Sequence, residues 1–219
     1  MYENGLGTER SYEKAEHWYR KSANQGFAKA QANMGRLFES GRGVAQSDER
    51  ALFWFKEAAL QEDPAGMFYL GKMYEQGKGV KQSYLEALNW YKLSAGKGFG
   101  LAQNALGRIY ERGLGTGQSD ESAVYWYRKA AENGDSEGQN NLGRMYEQGA
   151  GVDLSFKKAV YWYQQSAGQM NPNGLYNLGR MYEGGLGVPK NITEALNLFQ
   201  QAADEGHPFA KDQLKLYNR

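Results

Sequence analysis

Residues 142–152 read LGRMYEQGAGV. The same pattern stands at 34–44 (MGRLFESGRGV), 70–80 (LGKMYEQGKGV), 106–116 (LGRIYERGLGT) and 178–188 (LGRMYEGGLGV). The first glycines of these segments, Gly35, Gly71, Gly107, Gly143 and Gly179, are 36 residues apart without a slip. A second series keeps the same step: Trp18, Trp54, Trp90, Trp126 and Trp162, with Leu198 in the sixth place. Tyr19, Phe55, Tyr91, Tyr127, Tyr163 and Phe199 follow directly, and Ala15, Ala51, Ala87, Ala123, Ala159 and Ala195 precede by three. A fixed period of this length marks a repeat architecture, and the 219 residues hold about six units.

Each unit reads as two helices. In one unit Gly66, Leu70, Met73 and Tyr74 fall on one helical face. Gly77 and Gly79 then end that helix, with Gly77 suited to a left-handed cap. Ser83 opens the next helix as N-cap, and Glu86 three residues on predicts a capping box. Ser11, Ser47, Ser119, Ser155 and Asn191 hold the same place. The second helix is expected to bury Ala87, Trp90, Tyr91, Ser94 and Ala95, small residues beside aromatic knobs. Gly26, Gly98, Gly134 and Gly206 close it. Glu62 and Met170 stand in their place in two units, each soon followed by proline, Pro64 and Pro172, which suits the first position of a new helix. Alternating strand patterns are missing. No unit can bury its apolar face alone, so neighbours must stack as a solenoid. The expected division is a partial unit 1–26, full units 27–62, 63–98, 99–134, 135–170 and 171–206, and a capping helix 207–219.

The pattern L-G-x-x-Y-x-x-G-x-G-V followed by A-x-x-W-Y-x-x-A-A-x-x-G resembles the Sel-one-like repeat family, a relative of the tetratricopeptide repeat, over nearly the whole chain. The resemblance implies an all-α fold, a right-handed α/α superhelix, acting as a non-catalytic adaptor in protein complexes. Met34, Phe38, Thr8, Thr116 and Leu198 depart from the pattern with apolar or near-isosteric replacements.

Composition narrows the chemistry. The chain is 41% hydrophobic and 14% aromatic, enough for a core, and 26 basic against 25 acidic residues leave a charge of +1. That balance argues against a nucleic-acid footprint, and no apolar run is long enough to insert in a membrane. There is no cysteine, and the two histidines, His17 and His207, lie near opposite ends, so triads and zinc clusters lack their parts. GLGTGQ at 113–118 follows a helix and recurs in every unit, which makes it a turn, not a phosphate loop. The glutamate series Glu39, Glu75, Glu111, Glu147 and Glu183 has no nucleophile or orienting group beside it. The tryptophans, at helical spacing beside alanine, read as core and not as a carbohydrate platform. Asn191-Ile192-Thr193 reads as a helix cap before a glycosylation acceptor. No catalytic residue, metal or cofactor is expected.

What remains is the face of the first helices, which lines the concave side in tetratricopeptide repeats. By position it carries Arg36, Lys72, Arg108, Arg144 and Arg180; Asn104, Asn140, Phe68 and Tyr176; and Glu111 and Glu147 of the glutamate series. Lys29 and Leu101 lie a further turn back. Two readings stay open: a charge ladder in which each Arg pairs with the Glu three residues on, or a ridge of guanidinium donors for an acidic protein or peptide segment. An immunity-type inhibitor of a toxin enzyme is the alternative role that the resemblance allows. Met1 aligns with Met73, Met145 and Met181, so the chain is expected to be part of a longer one. A periplasmic or secreted protein is then slightly favoured, and an N-terminal edge open to self-association is expected. After Gly206, Ala210, Leu214 and Leu216-Tyr217 read as a last first-type helix in which Lys215 replaces the packing glycine.

Overall fold

A computed structural model describes residues 2–217. Twelve helices and no strand occur among the described residues. The chain divides into two compact units, Met1–Ala102 and Gln103–Arg219. The first contains α1 (Tyr12–Ala23), α2 (Ala28–Ser40), α3 (Asp48–Leu60), α4 (Pro64–Gln76) and α5 (Tyr84–Gly96). Helix α6 (Gly100–Arg112) begins in the first unit and continues in the second. The second contains α7 (Asp120–Glu132), α8 (Ser136–Gln148), α9 (Phe156–Ala167), α10 (Pro172–Gly184), α11 (Ile192–Asp204) and α12 (Ala210–Tyr217). Within each unit every helix packs against the next, so α2–α3, α4–α5, α8–α9 and α10–α11 are stacked hairpins. The alignment of Met1 with the later methionines, and the close of the capping segment at Asn218 and Arg219, lie outside the described residues.

The helices start and stop where polar caps and glycines direct. Ser11, Ser47, Ser83, Ser119, Ser155 and Asn191 each accept the N–H three residues on, from Lys14, Arg50, Glu86, Ser122, Lys158 and Glu194. The reciprocal half of the expected capping box is replaced: the Ser83 N–H donates to the Tyr74 carbonyl at 3.0 Å, tying the second helix to the end of the first. Gly77 and Gly149 cap α4 and α8 in the left-handed region, at φ 68° and 67°. Pro64 and Pro172 occupy the first turns of α4 and α10, behind the N-caps Asp63 and Asn171. These prolines start new helices, but they do not relieve the preceding turn. Glu62 and Met170 hold φ 58° and 57°, the conformation that glycine holds at Gly98 and Gly134.

The core corrects one expectation. The deeply buried aromatic of each second helix is the residue after the tryptophan: Phe55, Tyr91, Tyr127, Tyr163 and Phe199 are at most 1% exposed. Trp54, Trp90 and Trp162 pack only partly against the core, and Trp18 is 53% exposed. The place assigned to the tryptophan is taken by Leu52, Leu88, Val124 and Val160, which are buried beside the alanines. A helix carries its buried stripe at i, i+1, i+4 as readily as at i, i+3, i+4, and the close approach of the first helix selects the former.

Candidate partner-binding face

Each first helix carries a basic residue directly after its packing glycine, and the helix phase that buries the glycine leaves this residue half-exposed at the rim. The structure pairs it with the glutamate of the preceding repeat. The pair is not the one on its own helix. Arg36 Nη2 reaches Glu3 Oε1 at 3.2 Å, Lys72 Nζ reaches Glu39 Oε1 at 2.9 Å, Arg144 Nη2 reaches Glu111 Oε2 at 2.8 Å, and Arg180 Nη2 reaches Glu147 Oε1 at 3.0 Å. The expected intrahelical pairing is therefore corrected to an inter-repeat one. Neighbouring first helices lie side by side, and the shorter path between Arg and Glu runs across that seam.

The glutamates are held from a second side, by a group that the sequence reading did not anticipate. Tyr19, Tyr91, Tyr127 and Tyr163 donate their hydroxyls to Glu3, Glu75, Glu111 and Glu147 at 2.7, 2.5, 2.6 and 2.6 Å. The signal was present: tyrosine stands sixteen residues after each of these glutamates, and where phenylalanine replaces it, at Phe55 and Phe199, the glutamate finds other donors. Glu39 takes Lys72 with Lys78, and Glu183 takes Gln213 and Tyr217. Burial pushes the Glu111 carboxyl up, but the bonds from Arg144 and Tyr127 outweigh it and hold it below its ordinary value. Burial, with Glu3 adding to it, pushes the Tyr19 hydroxyl up to about 12.

The remaining expected contacts are distributed unevenly. Asn140 is buried, not presented on the face, and its Oδ1 accepts from Asn177 at 2.9 Å. Asn104 is half-buried and accepts from Asn141 at 2.9 Å, so both asparagines bridge successive first helices. Phe68 is drawn inward against Tyr91 and Phe99, and Tyr176 stacks on the His207 ring at 4.1 Å. Arg108 is half-buried. The basic side chains keep an open edge: those of Arg36 and Arg180 are 41% exposed, that of Lys72 33% and that of Arg144 29%.

In the first unit this face is hollowed. One cavity of about 320 Å³ is lined by Lys29, Asn33, Arg36, Asp63, Tyr69 and Phe99 among others. A second, of about 200 Å³, is lined by Glu3, Arg36, Glu39, Arg42, Tyr69 and Lys72 among others. Arg36 and Tyr69 belong to both. Tyr69 and Phe99 were not anticipated, because each is adjacent in sequence to a position already assigned to the face or to a helix start. Among the described residues no group of three His, Cys, Asp or Glu is placed to hold a metal ion, and no helix is long and apolar enough to cross a membrane.

The Sel1 repeat model matches residues 1–27, 28–63, 64–99, 100–135, 136–169 and 172–207. Among solved structures, the chain is similar to a protective antigen present in uropathogenic Escherichia coli strains that displays an SLR fold. The identity is 35%, covering 100% of this chain and 47% of that one, with a TM-score of 0.78. The chain thus spans about half the length of that protein. A Sel1 repeat protein from Oxalobacter formigenes is 31% identical over 93% of this chain and 81% of its own, with a TM-score of 0.83. The immunity protein Pa5087 from Pseudomonas aeruginosa shares the fold alone, at 21% identity over 90% of this chain and 75% of its own, with a TM-score of 0.64. No curated protein matches the chain.

Proposed function

Since this chain belongs to the Sel1 repeat family, whose members generally act as scaffolds for protein–protein interaction, we propose that it is a non-catalytic scaffold gripping an acidic, extended segment of a partner protein on its first-helix face. The observation that carries this reading is the pair of cavities joined at Arg36 and Tyr69. Lys29, Arg36, Arg42 and Lys72 outnumber Glu3, Glu39 and Asp63 by one around the hollow, and Tyr69 and Phe99 give it aromatic walls. A carboxylate of the partner meets the open edge of Arg36, whose other edge Glu3 and Asn33 hold in place. A guanidinium fixed in this way loses little side-chain freedom on binding. The remaining rungs, Lys72, Arg108, Arg144 and Arg180, place a basic group at the same helix position, with Glu39, Glu111 and Glu147 anchoring Lys72, Arg144 and Arg180 and with Asn104, Asn140, Phe68 and Tyr176 as support.

The test is fluorescence anisotropy with a labelled library of acidic decapeptides. Wild-type chain is compared with Arg36→Ala, Tyr69→Ala and a control on a second helix, Arg128→Ala. Loss of one charge-assisted contact weakens binding by about 1.5–3 kcal/mol. If the control and the two face variants bind the selected peptides equally, this face is not the site.

A further inference from the structure

The first helices differ at one place on their shared face. Three residues before the packing glycine stand Ala32, Phe68, Asn104, Asn140 and Tyr176. The four larger side chains are all engaged. Phe68 packs on Tyr91 and Phe99, Asn104 and Asn140 accept from Asn141 and Asn177, and Tyr176 stacks on His207. Ala32 offers only a methyl group, and Tyr69 stands where Asn141 and Asn177 make their bridges. No amide bridge can form there between α2 and α4. The Tyr69 ring stacks instead on Phe55, with centroids 5.0 Å and planes 16° apart. The cavity of about 320 Å³ opens at this gap.

Beside the polar residues named above, Ala32, Pro64, Ala65, Tyr69 and Phe99 line this cavity. Phe99 holds the place at which Asp63 and Asp135 cap α4 and α8, so a ring stands where those helices present a carboxylate. Asp63 itself is engaged with its own helix, its Oδ1 accepting the Gly66 N–H at 2.8 Å. The two cavities follow one another along the α2–α4 seam: the first runs from Lys29 to Arg36, the second from Arg36 to Arg42. Both helices are packed on their own hairpin partners, α3 and α5, so the hollow belongs to the seam and not to an end of the chain. Ala32 and Arg36 are one turn apart, a rise of about 6 Å. In an extended segment, side chains two residues apart share a face and are about 6.6–7 Å apart. A segment laid along the seam therefore places one side chain over Ala32 and the next on that face at Arg36.

We propose that Ala32 sets the specificity of this face: the hollow over it takes an aromatic side chain of the partner's acidic segment, two residues from the carboxylate that meets Arg36. This rests on the reading of the Arg36 face as the site for an acidic segment. The rings of Tyr69 and Phe99 and the Pro64 ring favour an aromatic occupant, which gains offset or edge-to-face contacts beyond the area it buries. The carboxylate alone would bind at any rung with an open basic edge. The aromatic residue singles out the α2–α4 seam, because only there is the position three before the glycine an alanine.

The probe is a phage-displayed library of decapeptides randomised over aspartate, serine, glycine, alanine, leucine and phenylalanine, selected on the whole protein. Selected sequences are expected to carry phenylalanine two residues from an aspartate. In anisotropy titrations of the best peptide, replacing that phenylalanine by alanine should weaken binding about tenfold or more, a change of about 1.4 kcal/mol. Ala32→Phe copies Phe68 of the next repeat, and Ala65→Leu copies Leu101. Each fills the hollow without touching a charge, and each should abolish the preference for phenylalanine while the weaker, aspartate-dependent binding stays. Circular dichroism checks that both variants are folded, and the spacing of phenylalanine and aspartate in peptides selected on the wild type is a test that needs neither. Enrichment of aspartate without phenylalanine, a preference for leucine, or a phenylalanine preference that survives in both folded variants overturns this inference and leaves the Arg36 face standing. If no acidic peptide is selected, or if Arg36→Ala binds the selected peptides as the wild type does, the reading of that face fails and this inference falls with it.

Discussion

The ring of Tyr163 lies against the backbone of Gly143: a Cβ added at Gly143 would stand 2.7 Å from two ring carbons and 3.2 Å from the Ala159 carbonyl oxygen. Gly143 is thus a residue of close approach and sits inside a regular helix. It costs the helix some propensity, and the packing of α8 on α9 offsets that cost.

Gly143→Ala is expected to destabilise the protein by about 1–3 kcal/mol through overpacking, although alanine is the better helix former. Gly96 is the control. It ends α5 with nothing within 4 Å of an added Cβ, so Gly96→Ala should be neutral or stabilise by up to about 1 kcal/mol. Chemical denaturation of both variants decides the matter: equal effects would mean that the ring contact does not govern the first position.

Tyr91 and Trp90 separate the two candidate core knobs. Tyr91 is 1% exposed and hydrogen-bonded to Glu75, while Trp90 only leans on the core. Tyr91→Ala should cost about 3–5 kcal/mol, and Trp90→Ala about 1–2 kcal/mol, in keeping with half a side chain of buried area. A Trp90 variant that melts below the Tyr91 variant would restore tryptophan as the central knob.

The same pair shows how far the sequence could be read. The 36-residue step of Gly71, Trp90 and Tyr91 was enough for the all-α hairpin repeat, because a period that recurs in every unit fixes which residues are equivalent. It was not enough for the phase of the second helix. Trp90 and Tyr91 are adjacent, and both patterns place an apolar stripe on one side. Gly71 settles the phase, since only Tyr91 meets it. The charged face was legible in composition and not in pairing. Arg144 lies three residues from Glu147 in sequence, and local spacing suggested that partner, but the 33-residue contact with Glu111 is made only when two repeats are stacked.

Met170 holds φ 57° at a position where Gly98 and Gly134 hold 82°. A non-glycine residue pays about 1–2 kcal/mol for that region, and glycine gives part of it back as entropy of the unfolded chain. Met170→Gly should therefore raise stability by about 0.5–1 kcal/mol. Glu62→Gly should follow the same sign, because the pair it forfeits with Lys97 is solvent-exposed and weak. Calorimetric melting that shows a lower Tm for Met170→Gly would contradict the backbone argument.

His207 is 8% exposed and stacked on Tyr176, and its Nδ1 has no hydrogen-bond partner among the described residues. Burial holds its pKa below the ordinary value of 6.5. As pH falls through that value, the unfolded chain takes up a proton that the folded chain does not. Stability should therefore drop from about pH 7 towards pH 5, and recover as pH rises. His207→Phe should flatten this segment of the stability curve while leaving the acid limb near the carboxylate range. An unchanged slope in urea titrations between those pH values would rule His207 out as its source.

Arg144 tests what the ladder is for. Its guanidinium and the Glu111 carboxylate are only 29% and 23% exposed, and Glu111 also accepts from Tyr127, so three groups from three helices share one partly dry site. Removing the guanidinium leaves a half-buried carboxylate with the tyrosine alone, and Arg144→Ala should cost about 1–3 kcal/mol. Tyr127→Phe should cost about 1 kcal/mol. Because both act on the same carboxylate, their effects should not add, and a double-mutant cycle of Arg144→Ala with Glu111→Gln should return a coupling of about 0.5–3 kcal/mol. Lys215 and Asp212, at 74% and 71% exposure, provide the comparison. An exposed pair of this kind should return a coupling near zero, at most about 0.5 kcal/mol. If the two cycles agree, Arg144 is a solvated charge free to serve a partner. If they differ as expected, its first task is to join two repeats, and a partner binds only the edge that Glu111 leaves open.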